Sequence, residues 1–404
     1  MHRKRKNKKY LKSLLLIIIV IGVVFISYKE VLNNKDVIEN KINIMNNDEY
    51  KNIDDYKIFK KYYKKAVKIV KNMSLKEKVG QLFLVRYNKD DVEYLSNFYP
   101  GGYILFAKDF QNNTKEQMKK EIETDQKENK FPLIMAVDEE GGYVTRVSRF
   151  KQYRDEKFLS SRAYYNQGGY ALVEQIEKEK ATLLKDLGIN LNLAPVSDIS
   201  TSSTDFIYSR AFQGNTEETS IFVKNMVKYA NNNKINSCLK HFPGYGNNKD
   251  THTGIAIDER SYEEIENNDY KPFIAGIEEN VPSILVSHNI VKSIDSEYPA
   301  SLSKKVNNEL RNKLNYTGII MTDDLAMDAV KEYVSNNTSA TLAVNAGNDM
   351  IITSDFLTMK NEVLNSVEEG KIQDKEIAKE EKKVKEVLAL ETEKLQKRLR
   401  FKVK

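Results

Sequence analysis

From about residue 62 onward, short apolar runs alternate with longer stretches in which apolar residues recur at helical spacing. Eight runs read as strands: 81–87 (QLFLVRY), 102–107 (GYILFA), 133–138 (LIMAVD), 189–196 (INLNLAPV), 236–242 (NSCLKHF), 283–288 (SILVSH), 318–322 (GIIMT) and 349–353 (DMIIT). Their starts lie 21, 31, 56, 47, 47, 35 and 31 residues apart, room for a crossover helix each time. Helical patterning covers 115–128, 170–187, 217–232, 262–278, 304–314 and 327–346. Eight strands with crossovers predict an α/β chain folded as a (β/α)8 barrel of the TIM type. A doubly wound open sheet is the alternative. No GxGxxG or Walker-type loop follows any strand, so nothing supports a phosphate cradle.

In such barrels the chemistry collects at the C-terminal ends of strands. Those ends carry Asp138-Glu139-Glu140-Gly141-Gly142, then Ser197-Asp198, Lys240-His241, His288-Asn289 and Asp323-Asp324. His252 falls in the loop after strand five, two residues beyond Asp250. Each group alone has a bland reading. Asp138 can cap a helix. Lys240-His241 can be a paired core, Asp250-x-His252 an Asx turn, and Asp323-Asp324 the acidic first turn of a helix. Together, on one face, they argue for a polar pocket of ionisable groups, hence an enzyme. Metal binding by the three histidines and the carboxylates is the alternative, which the lack of an HxxxH-type chelate disfavours; a pocket without metal or organic cofactor is the expectation.

Composition alters this picture at the N-terminus. The 404 residues carry a formal net charge of +6. Residues 1–12 alone hold seven Lys or Arg and no acid, and the other 392 sum to −1. The body therefore lacks the charge excess of a nucleic-acid binder. After the basic tag come sixteen uncharged residues, 13–28 (SLLLIIIVIGVVFISY). With Leu11 and a snorkelling Lys12 they reach roughly the 17-residue minimum of a spanning helix. No small-x-small cleavage site follows, so the expectation is an uncleaved transmembrane signal anchor; secretion after cleavage is the alternative. The positive flank puts the N-terminus in the cytoplasm and the body outside. The expected order is a basic tail (1–12), an anchor (13–28), a polar linker (29–60), the barrel (61–373) and a charged C-terminal helix (374–404). In that helix Ile377, Val384, Val387 and Leu388 can pack on the barrel. The single cysteine, Cys238, excludes an intrachain disulfide.

Five motifs occur in order: VDEEGGYVTRV (137–147), NLNLAPVSDI (190–199), SRAF (209–212), KHFPGYGNNKDTH (240–252) and MTDDLAMDAV (321–330). They resemble the β-N-acetylhexosaminidase (β-N-acetylglucosaminidase) branch of glycoside hydrolase family 3, across roughly residues 70–370. The resemblance implies a barrel that releases terminal, non-reducing β-linked N-acetylglucosamine from peptidoglycan-type fragments with retention. It implies Asp323 as nucleophile, with Asp324 the neighbouring candidate, and His252 as general acid/base with Asp250 as its partner. It places Asp138, Arg146, Arg210, Lys240 and His241 at the sugar. Partners are then N-acetylglucosamine-containing cell-wall saccharides and, through the anchor, the membrane; the chain is expected to be a monomer. Two departures fall in one loop. Tyr245 stands where the pattern has His, and 246–250 is about one residue short. The competing readings are a phosphorylase on the same sugar and a non-catalytic cell-wall-binding module.

Overall fold

Side chains along a strand point alternately to opposite faces, and here both faces find apolar partners. The computed structural model describes residues 63–246, 254–334 and 338–373. Leu84, Ile104, Ile134, Ala136, Leu191, Cys238, Leu285, Ile319, Met321 and Ile352 fill one buried cluster. Their strand neighbours Phe83, Val85, Tyr103, Leu105, Met135, Val137, Leu239, Ile284, Ile320 and Ile351 belong to a larger cluster shared with helical residues such as Val223, Phe273 and Val363. The first set is the barrel interior and the second is the seam between barrel and helices. Double burial explains why the strands read as unbroken apolar runs and not as alternating ones. Each Leu, Ile or Phe so buried contributes about 1.5–3 kcal/mol.

All eight expected strands form, with trimmed ends. They are β1 (Phe83–Arg86), β2 (Gly102–Leu105), β3 (Ile134–Val137), β4 (Leu191–Asn192), β5 (Asn236–Phe242), β7 (Ser283–Val286), β9 (Ile319–Thr322) and β10 (Ile351–Thr353). They pair in parallel in the order β10-β1-β2-β3-β4-β5-β7-β9. Between β9 and β10 a single parallel bridge, Met321 to Met350, joins the two edges. This is a nearly closed eight-stranded parallel barrel, which decides against the open sheet. A short ladder that the sequence pattern did not reveal, β6 (Ile257–Asp258) with β8 (Ile290–Val291), lies outside the barrel sheet.

The helices depart from expectation where tertiary contacts intervene. Lys115–Glu128 forms as expected, behind a Thr114–Gln117 capping box. The helix expected from 170 begins at Ser161 and is kinked at Gly168-Gly169. The 262–278 stretch is two helices, Tyr262–Asn267 and Tyr270–Glu278. Asp269, between them, is buried and pairs with Arg260 at 2.8 Å. The 304–314 stretch ends in a wider π-helical turn over Glu309–Lys313. The 327–346 stretch is Asp328–Tyr333 and Ser339–Ala346. Among the described residues no helix is long and apolar enough to cross a membrane. The expected anchor at 13–28, the linker at 29–60 and the helix at 374–404 lie outside the described residues.

Candidate active site

Because all eight barrel strands run the same way, the polar residues that follow β3, β4, β5, β7 and β9 emerge at one end of the barrel. Asp138, Glu139 and Glu140 leave β3 together and divide three tasks. Asp138 and Glu140 both reach Lys240 Nζ, each at 2.6 Å. Glu140 also takes two hydrogen bonds from Arg210, from Nε at 3.1 Å and Nη2 at 2.8 Å. Glu139 turns away and accepts backbone N–H groups of Arg146, Val147 and Ser148 at 2.7, 2.8 and 3.2 Å. It folds the following hairpin back on itself. That hairpin turns through Gly141 and Gly142 at φ of 100° and 67°, a left-handed region that favours glycine.

Lys240 and Glu140 are buried, so their charges persist only because they are paired. Burial alone would raise the Glu140 pKa. The charges of Lys240 and Arg210 override it and hold that carboxyl well below the usual range. Burial would lower the Lys240 pKa, yet Asp138 and Glu140 raise it above its ordinary value. His241, next on β5, is held at the other end. Its Nδ1 lies 2.7 Å from Asp198 Oδ2, and its Nε2 lies 3.3 Å from Arg210 Nη2. The result is one continuous network, Asp138–Lys240–Glu140–Arg210–His241–Asp198, spanning three strand ends. It unites four of the expected sugar-binding residues.

The fifth, Arg146, stands apart from that network. Its guanidinium lies over the Phe106 ring at 5.3 Å, and the same ring carries Arg86 at 4.1 Å. Arg86 is neutralised by Asp109 at 2.7 Å. Arg146 Nε is buried and has no hydrogen-bond partner among the described residues. At the end of β9, the two acids are distinct. Asp324 Oδ1 accepts the N–H groups of Ala326 at 2.9 Å and Ser354 at 3.2 Å, which commits it to the loop backbone. Burial and then the adjacent Asp323 charge raise the Asp324 pKa, against those backbone bonds. Asp323 Oδ1 accepts the Asp324 N–H at 2.8 Å. Asp250 and His252 lie outside the described residues. His288, at the end of β7, is fully buried with Nδ1 on Ser301 Oγ at 2.8 Å and Nε2 on the Asp324 carbonyl at 3.0 Å. It is part of the wall. No group of three or more His, Cys, Asp or Glu among the described residues is arranged to hold a metal ion.

Residues 74–387 match the model of the glycosyl hydrolase family 3 N-terminal domain. The chain belongs to glycosyl hydrolase family 3. Among its relatives, a beta-hexosaminidase of Hydrogenovibrio crunogenus is 31% identical over 278 residues, 66% of this chain and 75% of the relative. A beta-hexosaminidase of Nitrosomonas eutropha is 30% identical over 277 residues, 68% of this chain and 79% of the relative. Among solved structures, a family 3 beta-N-acetylglucosaminidase from a Paenibacillus species superposes with a TM-score of 0.73 at 26% identity. That match covers 79% of this chain and 63% of the Paenibacillus chain, so this chain spans less than two thirds of it. The family membership makes the chain a glycoside hydrolase.

Two members of this family 3 site escaped the sequence reading as functional residues: Glu140 and Asp198. Both stand at strand ends among other polar residues. Glu140 had a usable signal, since Lys240 and Arg210 are two cations that one nearby acid cannot neutralise. Asp198 had its strand-end position as a signal, but only the fold brings it to His241.

Proposed function

We propose that this chain is a retaining β-N-acetylglucosaminidase that removes terminal, non-reducing β-linked N-acetylglucosamine from peptidoglycan-type saccharides. The observation that carries the reading is the buried cluster in which Lys240, Arg210 and His241 sit beside Asp138 and Glu140 at the strand ends. Hydrogen-bond donors and acceptors fixed in this way suit the fixed hydroxyls of one sugar ring. The beta-hexosaminidase relatives and the beta-N-acetylglucosaminidase structure support the choice of sugar.

In the proposed reaction, a carboxylate oxygen of Asp323 attacks the anomeric carbon and a glycosyl-enzyme ester forms. His252 gives its proton to the departing glycosidic oxygen, and Asp250 orients its imidazole. Water then attacks the ester, His252 takes its proton back, and the sugar leaves with its configuration retained. Asp323 is preferred to Asp324 because Asp324 is spent on two backbone N–H groups. The topology in this reading is a cytoplasmic N-terminus, an anchor at 13–28 and a catalytic body on the outer side of the membrane, where cell-wall saccharides lie.

Hydrolysis of an aryl N-acetyl-β-glucosaminide against the matching β-glucoside tests the sugar. Preference for the glucoside would reject the reading. Proton NMR of the first-formed anomer tests retention, and an initial α-product would reject it. Release of N-acetylglucosamine 1-phosphate as the main product in phosphate buffer would replace hydrolysis by phosphorolysis.

A further inference from the structure

Asp198 is buried and carries a dense set of bonds. Its Oδ2 accepts the backbone N–H of His241 at 3.1 Å and lies 2.7 Å from the imidazole Nδ1. Its Oδ1 accepts the backbone N–H of Tyr245 at 2.8 Å. The Tyr245 ring in turn stands edge-on to the imidazole, with centroids 5.0 Å apart. Tyr245 is fully buried and packs with Val196 and Ile207. This is the position where the family pattern has His. The other imidazole nitrogen, Nε2, faces Arg210 Nη2 at 3.3 Å, a group that can only donate.

These contacts fix the proton on the ring. An ionised carboxylate only accepts, so Nδ1 carries the hydrogen; a guanidinium only donates, so Nε2 carries a lone pair. An imidazolium would set two N–H donors and two positive charges face to face at 3.3 Å. We propose that Asp198 is a positioning residue that holds His241 as its neutral, Nδ1-protonated tautomer, so that Nε2 accepts from Arg210 and holds that guanidinium in place beside Lys240 for the sugar. Through the Tyr245 N–H, the same carboxylate fixes the aromatic wall that keeps the ring from turning. The functional arm of this proposal rests on the β-N-acetylglucosaminidase reading; the tautomer itself does not.

The first experiment is nitrogen NMR of the full chain labelled with 15N-histidine at pH 7. The structure expects two buried histidines of opposite type. His288 donates from Nε2 to a carbonyl, whereas His241 donates from Nδ1. The Nδ1-protonated signal should vanish in His241→Gln and lose its pattern in Asp198→Ala. A wild-type His241 found as imidazolium or as the Nε2–H form overturns the proposal. The second is a double-mutant cycle on an aryl N-acetyl-β-glucosaminide. Asp198→Ala should lower kcat/KM about 100-fold, but by less than about 3-fold in a His241→Ala background. Additive losses would make Asp198 an independent structural group and overturn it. If Asp198→Ala does not fold, Asp198→Asn carries the cycle, since it keeps the shape but no amide orientation satisfies all three donors. Failure of the wild type on every N-acetylglucosaminide would reject the activity reading and leave the tautomer measurement standing.

Discussion

The two neighbouring acids after β9 differ by what the backbone asks of each. Asp323→Asn keeps the shape but removes the attacking charge, so turnover should fall by about four orders of magnitude or more with melting unchanged. Asp324→Asn should be milder, because an amide oxygen can still accept the Ala326 and Ser354 N–H groups. Wild-type-like activity in Asp323→Asn beside a dead Asp324→Asn would exchange their roles. Glu140 offers a stability test. Its replacement by Gln takes the carboxylate partner from Arg210 at the edge of the buried interior and leaves Lys240 with Asp138 alone, and should cost about 3–5 kcal/mol in denaturant unfolding. The pH dependence follows from the directions of shift. Glu140 has a lowered folded pKa, so its stabilisation is present above the unfolded value of 4.5 and is lost only as pH falls through the lower folded value. Lys240 has a raised one, so its share is present below 10.5 and is lost as pH rises through the higher folded value. The stability gap between wild type and Glu140→Gln should thus be flat from about pH 5 to 10 and close in stronger acid. A gap that closes near pH 6 would show that the cluster does not hold these charges. Of this site, Asp138, Lys240 and His241 could be read from their strand ends as members of a polar pocket, while Arg210 and the expected sugar-binding roles came only from the family resemblance. The pairing of Asp198 was not legible, since its partners lie 43 and 47 residues away and only parallel pairing of β4 with β5 aligns them.

At the scale of elements, the helix Thr216–Asn233 isolates a local effect. It opens with an Asn215–Glu218 capping box in which each side chain takes the other's backbone N–H at 3.0 Å. Asn215→Ala should cost about 1 kcal/mol in thermal or denaturant unfolding, while kcat stays as in wild type, because the Asn215 side chain is spent on the Glu218 N–H of its own helix. A loss of kcat would mean that this helix end is coupled to the SRAF segment a few residues before it. The same contrast between local and distant causes explains which elements could be read from the pattern. Strands buried on both faces announce themselves as continuous apolar runs, and Lys115–Glu128 announces itself by its cap. The break at Asn268-Asp269 does not, because it is made by Arg260, which bridges Asp258 and Asp269 from outside the helix. β6 and β8 are two residues each, too short for any period to show. The kink at Gly168-Gly169 was visible as a glycine pair, but the pair marks a bend within the helix and not its start.

At the scale of the whole molecule, charge and chemistry separate along the chain. Seven positive charges sit within residues 1–12, while the remaining 392 sum to −1. The cluster at the strand ends carries no cationic excess either: two cations, Lys240 and Arg210, meet the carboxylates Asp138 and Glu140 and, through His241, Asp198. Such a cluster has no reason to attract polyanions, and its paired groups can grip an uncharged sugar. In the proposed topology the N-terminal charges have a separate role, which is to orient the apolar run that follows them as an anchor. If so, the two functions are independent. Removal of residues 1–28 should move the protein from the membrane fraction to the soluble one and leave kcat/KM within about 2-fold, as independent functions require. Replacement of the seven Lys and Arg by Gln should instead keep the protein in the membrane but scramble its orientation, read by protease access to the catalytic body in intact cells. A body protected from external protease in the unaltered protein would place it on the cytoplasmic side and overturn the topology, while the site chemistry would stand unchanged.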